Sequence, residues 1–166
     1  MDGHEHITIS QARDSDTPGL ERILAADDIF YANALPAIFR PCREPERRAH
    51  IAHFRQGPDR VLLVARAGAQ VLGYAAAAIH RSEEAPGLAA RAYVKIHNIV
   101  VDGAQRRKGI GAALARKVAE WGNKLGIADL ELDVYEFNAE AKAFYKALGF
   151  STVRTRLTMK PDCPAT

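Results

Sequence analysis

The sequence predicts an α/β fold in which one mixed central β-sheet is flanked by helices. Two observations indicate this class. Short runs rich in β-branched residues alternate with stretches of helical periodicity along the chain. In addition, residues 96–126 have the pattern of a strand, a glycine loop and a helix, and the strand that follows requires parallel pairing across a right-handed crossover. With 166 residues, the chain (1–166) is expected to form a single domain whose core covers about residues 7–159.

The N-terminal third is predicted to contain one strand and at least two helices. Residues 7–9 alternate as in a strand, and Thr17 followed by Pro18 is typical of a helix start. Residues 28–45 are irregular and leave two interpretations open, a second helix broken by prolines or an aromatic-lined wall over a pocket. Helical spacing returns over residues 45–56.

The middle of the chain predicts a β-hairpin. Residues 61–65 and 71–79 have strand composition and flank a turn signal at residues 67–70. The small residues 75–78 in the second arm indicate that another element packs closely there. Residues 81–90, which contain a Pro-Gly pair, are predicted to form a loop.

The unit at residues 96–126 is the most regular part of the sequence. Its strand is predicted over residues 96–101, with Ala92 as the earliest start. The apolar residues of its helix recur in steps of three and four, at Ile110, Leu114, Val118, Trp121 and Leu125. Gly126 lies where a helix C-cap glycine belongs.

The C-terminal part predicts a strand over residues 129–135, a helix, and one or two final strands within residues 150–159. Asn138 is expected to cap the helix and Gly149 to end it. The buried stripe of this helix is predicted at Ala141, Phe144, Tyr145 and Leu148.

Three cations and two glycines precede or begin the long helix, namely Arg106, Arg107, Lys108, Gly109 and Gly111. A helix N-terminus offers unpaired backbone N–H groups and the positive end of a dipole, and glycine lets a ligand approach that backbone. The pattern therefore predicts a phosphate-binding site rather than a solvated basic face. The pattern of a nucleoside-triphosphate P-loop is absent, and a dinucleotide-binding fingerprint would need a glycine at Leu114.

Charge, cysteines and histidines exclude several classes of function. The formal charge of +3 is mild and scattered, so it does not indicate a nucleic-acid partner. Cys42 and Cys163 have no metal spacing and no catalytic partner pattern, and we interpret them as free thiols. His4 and His6 alone do not make a metal site. The sequence shows no secretory signal and no membrane-spanning run, so a cytoplasmic location is expected.

These motifs resemble those of the GCN5-related N-acetyltransferases (GNAT). Residues 106–111, RRKGIG, are similar to the Q/R-x-x-G-x-G/A loop that binds acetyl-coenzyme A in this family. The strand at residues 98–102 precedes the loop, as in the family. Residues 130–134, then Asn138, then residues 143–150 resemble the family's N…A…FY…GF block. The resemblance covers nearly the whole chain and implies the acyl-CoA N-acyltransferase (GNAT) fold.

The resemblance also implies roles for individual residues. Backbone amides of the loop, with Arg106 opening the motif, would bind the pyrophosphate of acetyl-CoA: Arg107, Lys108, Gly109, Ile110, Gly111 and Ala112. Ile99, Val100 and Val101 would pair with the pantetheine arm like an extra strand and polarise the thioester carbonyl. Asn138 would hydrogen-bond the same arm, and Tyr145 would face the sulfur as a general acid.

Acetyl transfer needs a neutral amine, and this need leaves the general base open. Deprotonating a lysine-like amine at pH 7 costs roughly 4–5 kcal/mol, which favours a base or a water chain. Asp133 lies near the end of its strand and matches an acidic position that relatives acting on ribosomal protein N-termini use as base. His97 has a suitable residue type next to the acetyl-binding strand, Glu131 lies two residues from Asp133, and a water relay is the fourth candidate.

We therefore expect an enzyme that transfers acetyl from acetyl-CoA directly to a primary amine of a small molecule, peptide or protein, without a metal. A non-catalytic acyl-CoA sensor on the same fold is the alternative, and a nucleic-acid binder using the basic loop is a third possibility. Edge strands in this fold often pair across a two-fold axis, and the sequence is compatible with such a homodimer.

Overall fold

The computed structural model describes residues 6–159. This part of the chain divides into a compact unit that ends at Asp133 and a second unit that begins at Val134. The interpretations given above for His4 and Cys163 fall outside the described residues. Within residues 6–159, no helix is both long enough and apolar enough to cross a membrane.

The first unit is built on a sheet in which the strands lie in chain order. They are β1 (Ile7–Gln11), β2 (Arg60–Ala67), β3 (Gln70–Ser82), β4 (Arg91–Val101) and β5 (Leu130–Leu132). Neighbouring strands are antiparallel except β4 and β5, which are parallel. The mixed sheet, the hairpin of β2 and β3, and the parallel pair confirm the predicted class.

Three helices pack on this sheet, α1 (Thr17–Ala34), α2 (Glu44–Arg55) and α3 (Ile110–Lys124). The predicted irregular stretch from residue 28 is wrong in its first part, because α1 continues to Ala34. The helix ends where Leu35 precedes Pro36 and adopts φ −136° and ψ 66°, outside the helical region. Steric contact with the proline ring disfavours helical geometry at that preceding position.

One face of the sheet is covered by α1 and α2. The core on this face is a single cluster of buried residues: Leu20, Ile23, Leu24, Ile51, Phe54, Leu62, Val64, Val71, Tyr74, Ala76 and Ala78. The helix α1 approaches β3 so closely that a Cβ at Gly19 would lie 2.7 Å from Val71 Cβ. This helix therefore holds its side chains directly against the centre of the sheet.

The other face is covered by α3, whose predicted apolar stripe is buried at Ile110, Leu114 and Val118. The stripe was wrongly extended to Leu125, which follows the helix and is 47% exposed. At Gly122 a Cβ would lie 2.7 Å from Val94 Cγ2, so a glycine is needed for this close packing. Because both faces are covered, the small residues Ala75, Ala76 and Ala77 of β3 have no exposed surface. The close packing predicted from those small residues is confirmed.

The second unit contains α4 (Ala139–Ala147). As predicted, Asn138 caps this helix, since its side-chain oxygen accepts a hydrogen bond from the N–H of Ala141 at 3.1 Å. Gly149 follows the helix in the left-handed region, at φ 95°. The cap and the end of this helix were thus correctly predicted from the sequence.

Two predictions about strands are wrong. β5 covers three residues rather than 129–135, because it pairs with β4 only from Val94 to Ile96. Residues 150–159 form no strand in the part of the chain that the structure describes. Three of their apolar side chains are more than four-fifths exposed, namely Val153 (85%), Leu157 (88%) and Met159 (82%). An alternating pattern makes a strand only where a neighbouring strand and a buried face complete it.

A buried ion pair joins β2 to the start of α1. The side chains of Arg66 and Asp16 are only 6% and 4% exposed. Arg66 Nε donates to Asp16 Oδ1 at 2.6 Å, and the other carboxylate oxygen accepts from the guanidinium and from the N–H of Arg13. Burial by itself would raise the pKa of Asp16, but these hydrogen bonds hold it below its ordinary value. The contribution of Asp16 to stability is therefore lost as the pH falls.

We predict that Asp16→Ala lowers the free energy of unfolding by about 3–5 kcal/mol, because Arg66 stays buried without its partner. Asp14→Ala is the matched control, since its carboxylate is 93% exposed and pairs with Arg55 at the surface. The control should change stability by about 1 kcal/mol or less. Urea unfolding at pH 7 measures both variants, and equal losses would contradict the structural role of the buried pair.

Candidate functional site

The end of β4 is the part of the sheet where a ligand has access to backbone. On one side β4 pairs with β3 along its whole length, with a bulge at which His97 is the extra residue between Ile96 and Asn98. On the other side, β5 pairs only with Val94–Ile96. Within the first unit, the edge of β4 from residue 97 to 101 has no strand beside it. Such an edge presents N–H and C=O groups to an extended partner.

The loop after β4 is held in an unusual conformation. Asp102 starts it by accepting a hydrogen bond from the N–H of Ala104 at 3.1 Å. Arg107 has φ 66°, a left-handed value that non-glycine residues rarely adopt, and Gly109 has φ 79°. Strained backbone of this kind is concentrated at functional sites. The loop therefore has the character of a binding loop.

The N-terminus of α3 offers unpaired backbone donors. The first helical hydrogen bond from this end joins the N–H of Ala113 to the carbonyl of Gly109 at 3.0 Å. The amides of Ile110, Gly111 and Ala112 precede that bond and have no acceptor within the helix. A Cβ built at Gly109 meets nothing within 4 Å, so space is open beside these donors. These features fit an anionic group such as a pyrophosphate.

The three predicted candidates for a general base lie on the sheet face that α1 and α2 cover. Lys95 Nζ contacts Asp133 Oδ2 at 2.5 Å, and the guanidinium of Arg91 pairs with Glu131. The register places Lys95 opposite Glu131, so both side chains belong to the same face. Lys95 was not identified from the sequence, because only the folded chain brings its Nζ to Asp133.

His97 lies in a cluster of aromatic rings and histidines. Its ring centroid is 4.9 Å from that of Phe54, and its Nε2 is 3.4 Å from Nε2 of His80. Burial, followed by the charges of His80 and Lys95, lowers the pKa of His97 to about 4. The imidazole is therefore neutral at pH 7. His50 and His53 on α2 complete the cluster, and the sequence could not show it because its members come from three separate elements.

A small pocket of about 80 Å³ lies between α1 and the end of β4. Asp27 and Phe30 of α1 line it from one side, and Val100, Val101 and Arg106 line it from the other. Burial and the neighbouring Asp28 raise the pKa of Asp27 to about 6, and Arg106 partly opposes this effect. The pocket supports the second interpretation of residues 28–45, because the end of α1 forms one of its walls.

Tyr74 of β3 lies beside this pocket and was not identified from the sequence. It pairs with Val100 in the register of β3 and β4, and its side chain is 0% exposed. Burial, then the charges of Asp27 and Asp28, raise its pKa well above the ordinary value. The tyrosine hydroxyl is therefore close to both carboxylates.

In the second unit, Tyr145 lies on α4 within an aromatic group. Its ring centroid is 5.0 Å from that of Phe144 and 5.7 Å from that of Phe150. The backbone N–H of Phe150 donates to the carbonyl of Tyr145 at 3.0 Å. These contacts fix the ring of Tyr145 at the C-terminal end of the helix.

Other reactive side chains in the described residues show no catalytic arrangement. Burial, then the nearby Asp28, raise the pKa of the Cys42 thiol, so the thiol is protonated at neutral pH. Within residues 6–159, no three His, Cys, Asp or Glu side chains are grouped as metal ligands.

Comparison with known proteins shows the family and the fold of the chain. A sequence model of the acetyltransferase (GNAT) family matches residues 29–150. The ribosomal protein bS18-alanine N-acetyltransferase of Escherichia coli (strain K12) is 38% identical over 66 residues, which are 40% of this chain and 45% of that protein. An uncharacterized N-acetyltransferase of Methanocaldococcus jannaschii is 45% identical over 60 residues, which are 36% of this chain and 26% of that protein. Each match spans less than half the length of the curated relative.

Solved structures are similar over nearly the whole chain. A tetramutant of the BH1408 protein from Bacillus halodurans has a TM-score of 0.83 and 25% identity, and the match covers 92% of this chain and 99% of that one. The aminoglycoside N-acetyltransferase AAC(6')-Iy in complex with CoA has a TM-score of 0.75 and 19% identity, covering 98% and 99% of the two chains. At that identity the second likeness shows the fold alone, and both confirm the predicted fold.

We predict that His97 makes the fold less stable as the pH falls from about 6.5 to about 4. In this interval the unfolded chain binds a proton at His97 and the folded chain does not, whereas above it both are neutral. His97→Gln should therefore flatten the decline in the free energy of unfolding across this interval. Urea unfolding at pH 7.5, 6, 5 and 4.5 tests this, with pH 7.5 as the internal reference. If the free energy of unfolding has the same slope against pH in wild type and in His97→Gln, the lowered pKa of His97 is contradicted.

Proposed function

The chain belongs to the acetyltransferase (GNAT) family, and from this premise we propose that it is an N-acetyltransferase. The proposed reaction transfers acetyl from acetyl-CoA directly to a primary amine of a small molecule, peptide or protein. One observation carries the proposal: the unpaired edge of β4 leads straight into a strained loop and the unpaired amides of α3. An extended arm that ends in a pyrophosphate matches this succession of groups.

The residues proposed to hold the donor follow from this arrangement. The amides of residues 107–112 would bind the pyrophosphate, and the positive charge of Arg106 would add to the field of the helix dipole. Arg106 Nε lies 3.4 Å from the carbonyl of Val101, so the cation is held beside the end of β4. Residues 99–101 would bind the pantetheine arm through backbone hydrogen bonds. The donor supplies an acetyl group on a good leaving thiol.

The chain's own residues would move the protons. An amine attacks only when it has lost its proton, so a base must lie near it. Asp133 and His97 remain the proposed bases beside a water relay, and Lys95 would orient the carboxylate of Asp133. His97 is neutral at pH 7 and hence able to accept a proton, although its lowered pKa makes it a weak base. Tyr145 as general acid and Asn138 as a donor to the arm are supported by the family resemblance.

The acceptor class is a primary amine of unspecified size. The named relatives act on an alanine of a ribosomal protein and on aminoglycosides. A suitable panel of amines therefore contains an α-amine, an alkylamine and an amino sugar.

We predict that acetyl-CoA is consumed only in the presence of an amine, with one thiol released for each acetyl group gained by the acceptor. A thiol reagent and mass spectrometry of the acceptor measure the two products. Tight binding of acetyl-CoA with no turnover on any amine would favour a non-catalytic sensor instead.

We predict that Gly111→Glu abolishes acetyl-CoA binding, because a carboxylate would occupy the place of the pyrophosphate and repel it. Ala119→Glu is the control, since it adds the same side chain to the same helix two turns further on. Gly111→Ala separates bulk from charge. Titration calorimetry with acetyl-CoA should show normal affinity for the control. Unchanged affinity in Gly111→Glu would remove the loop from the proposed site.

We predict that Tyr145→Phe lowers kcat by about 10²–10⁴-fold if the hydroxyl donates a proton to the leaving thiolate. The KM for acetyl-CoA should change little, because the aromatic ring and its contacts with Phe144 and Phe150 remain. Phe144→Leu, which removes a neighbouring ring, is the packing control. A normal kcat in Tyr145→Phe would make Tyr145 a packing residue.

A further inference from the structure

Two adjacent carboxylates of α1, Asp27 and Asp28, lie near the end of β4, and the proposed donor site does not use them. Asp27 lines the pocket beside Val100 and Val101. Asp28 lies close enough to Tyr74 for its charge to act on the phenol. The register places Tyr74 opposite Val100, and the charges of both carboxylates act on the phenol, so the three side chains lie near one another beside the end of β4.

This group of side chains contains polar atoms with unused hydrogen-bonding capacity. Asp28 Oδ2 and the hydroxyl oxygen of Tyr74 are both buried, and neither has a hydrogen-bond partner among the described residues. A buried polar atom without a partner costs about 1–3 kcal/mol. Native proteins rarely keep two such atoms together unless a ligand or an ordered water completes them. The orphaned atoms therefore indicate a site rather than a packing defect.

The charge of the group selects a cation. Asp27 and Asp28 bring two carboxyl groups close together, and burial and the charge of Asp28 raise the cost of ionising Asp27. Of the cations nearby, Arg22 is occupied by its ion pair with Asp102 at 2.5 Å. Arg106 lies on the far wall of the pocket and only partly offsets Asp27. An anion would meet two carboxylates here, whereas a cation with N–H donors would satisfy them.

We propose that Asp27, Asp28 and Tyr74 bind the ammonium group of the acceptor amine. An alkylammonium has three N–H donors and no acceptor, and it meets three oxygen acceptors: the carboxylate of Asp27, Oδ2 of Asp28 and the hydroxyl of Tyr74. The inference rests on the proposed function, since Val100 and Val101, which border the pocket, belong to the strand assigned to the pantetheine arm. It specifies the acceptor as a cationic primary amine that enters beside α1.

The approach to the pocket is aromatic, which fits the carbon part of such an amine. Phe30 is 46% exposed and lines the pocket. Its ring packs edge-on against Tyr31, with centroids 5.3 Å apart, and Tyr31 contacts Phe39. Aromatic faces attract cations as well as apolar groups. A primary amine on an alkyl or peptide-like stem therefore matches both the aromatic approach at Phe30 and the acidic group of Asp27 and Asp28.

The inference is tested first by binding, without acetyl-CoA. n-Butylammonium chloride and L-alaninamide are titrated into the whole protein and followed by amide chemical shifts. n-Butanol lacks the charge, and tetramethylammonium chloride has the charge but no N–H donor.

Wild type should bind the two primary amines and neither control compound. Asp28→Asn and Tyr74→Phe should each weaken amine binding by about tenfold to a hundredfold, the usual range for a hydrogen bond to a charged group. Asp14→Asn, a neutralised exposed carboxylate on the same end of the chain, should bind normally.

A second measurement separates ligand binding from packing. Tyr74→Phe deletes only an orphaned hydroxyl, so the free protein should melt at the same or a higher temperature while its amine affinity falls. Asp27→Asn removes a buried charge and should likewise not lower the melting temperature. If Tyr74→Phe instead destabilises the protein and leaves amine affinity intact, the hydroxyl is structural and the inference is wrong.

Kinetics with the best amine of the panel provide the final check. The three variants should raise the KM for the amine by about tenfold or more while the KM for acetyl-CoA stays within about twofold. An unchanged amine KM in all three, with normal turnover, would overturn the pocket and leave the acetyltransferase proposal intact. If the protein binds the primary amines through these residues but transfers no acetyl group, the pocket stands and the acetyltransferase proposal is wrong.

Discussion

The structure depends on the unequal pairing of β4 with the strands on its two sides. It pairs with β3 over its whole length but with β5 for only three residues. The bulge at His97 lies where the pairing with β5 stops, and bulges increase the local twist of a strand. Beyond it, one edge of β4 keeps its backbone groups available and then runs into the loop and the start of α3. The proposed donor site follows from this one interruption of the sheet.

The two faces of the sheet differ in polarity. On the α3 side the contacts are apolar and close, as at Gly122 and Val94, so this side holds the helix whose N-terminus is proposed to bind the donor. On the α1 and α2 side the apolar core gives way to polar side chains along β4, including Asn98, His97 and Lys95. Charges in such a place are poorly solvated, which explains the shifted pKa values of Asp27 and His97 in opposite directions.

Sequence reasoning succeeded where local patterns decide the structure. The glycine loop, the caps at Asn138 and Gly149 and the parallel pair came from spacing and turn chemistry, and these signals act over a few residues. It failed where the outcome depends on distant neighbours. Residues 150–159 alternate as a strand does, but no strand within the described chain pairs with them. Tyr74 looks like any apolar strand residue, and Lys95 like any surface lysine. Only the folded chain brings the charges of Asp27 and Asp28 close to Tyr74, and Lys95 into contact with Asp133.

Binding the acceptor as an ammonium makes its later deprotonation more costly, and this cost limits the amines that the proposed pocket can use as acceptors. The bound form lacks the lone pair that attacks, so a proton must leave it before acetyl transfer. For an α-amino group, whose ordinary pKa is about 7.7–8.0, losing this proton at pH 7 costs about 1 kcal/mol. For a lysine-like amine of pKa about 10.4 the cost is about 4–5 kcal/mol. Binding the ammonium beside two carboxylates raises both costs, because the ion pair favours the charged form of the amine. An acceptor of low basicity would therefore suit the proposed pocket of Asp27 and Asp28, and an α-amino group would suit it better than a lysine side chain.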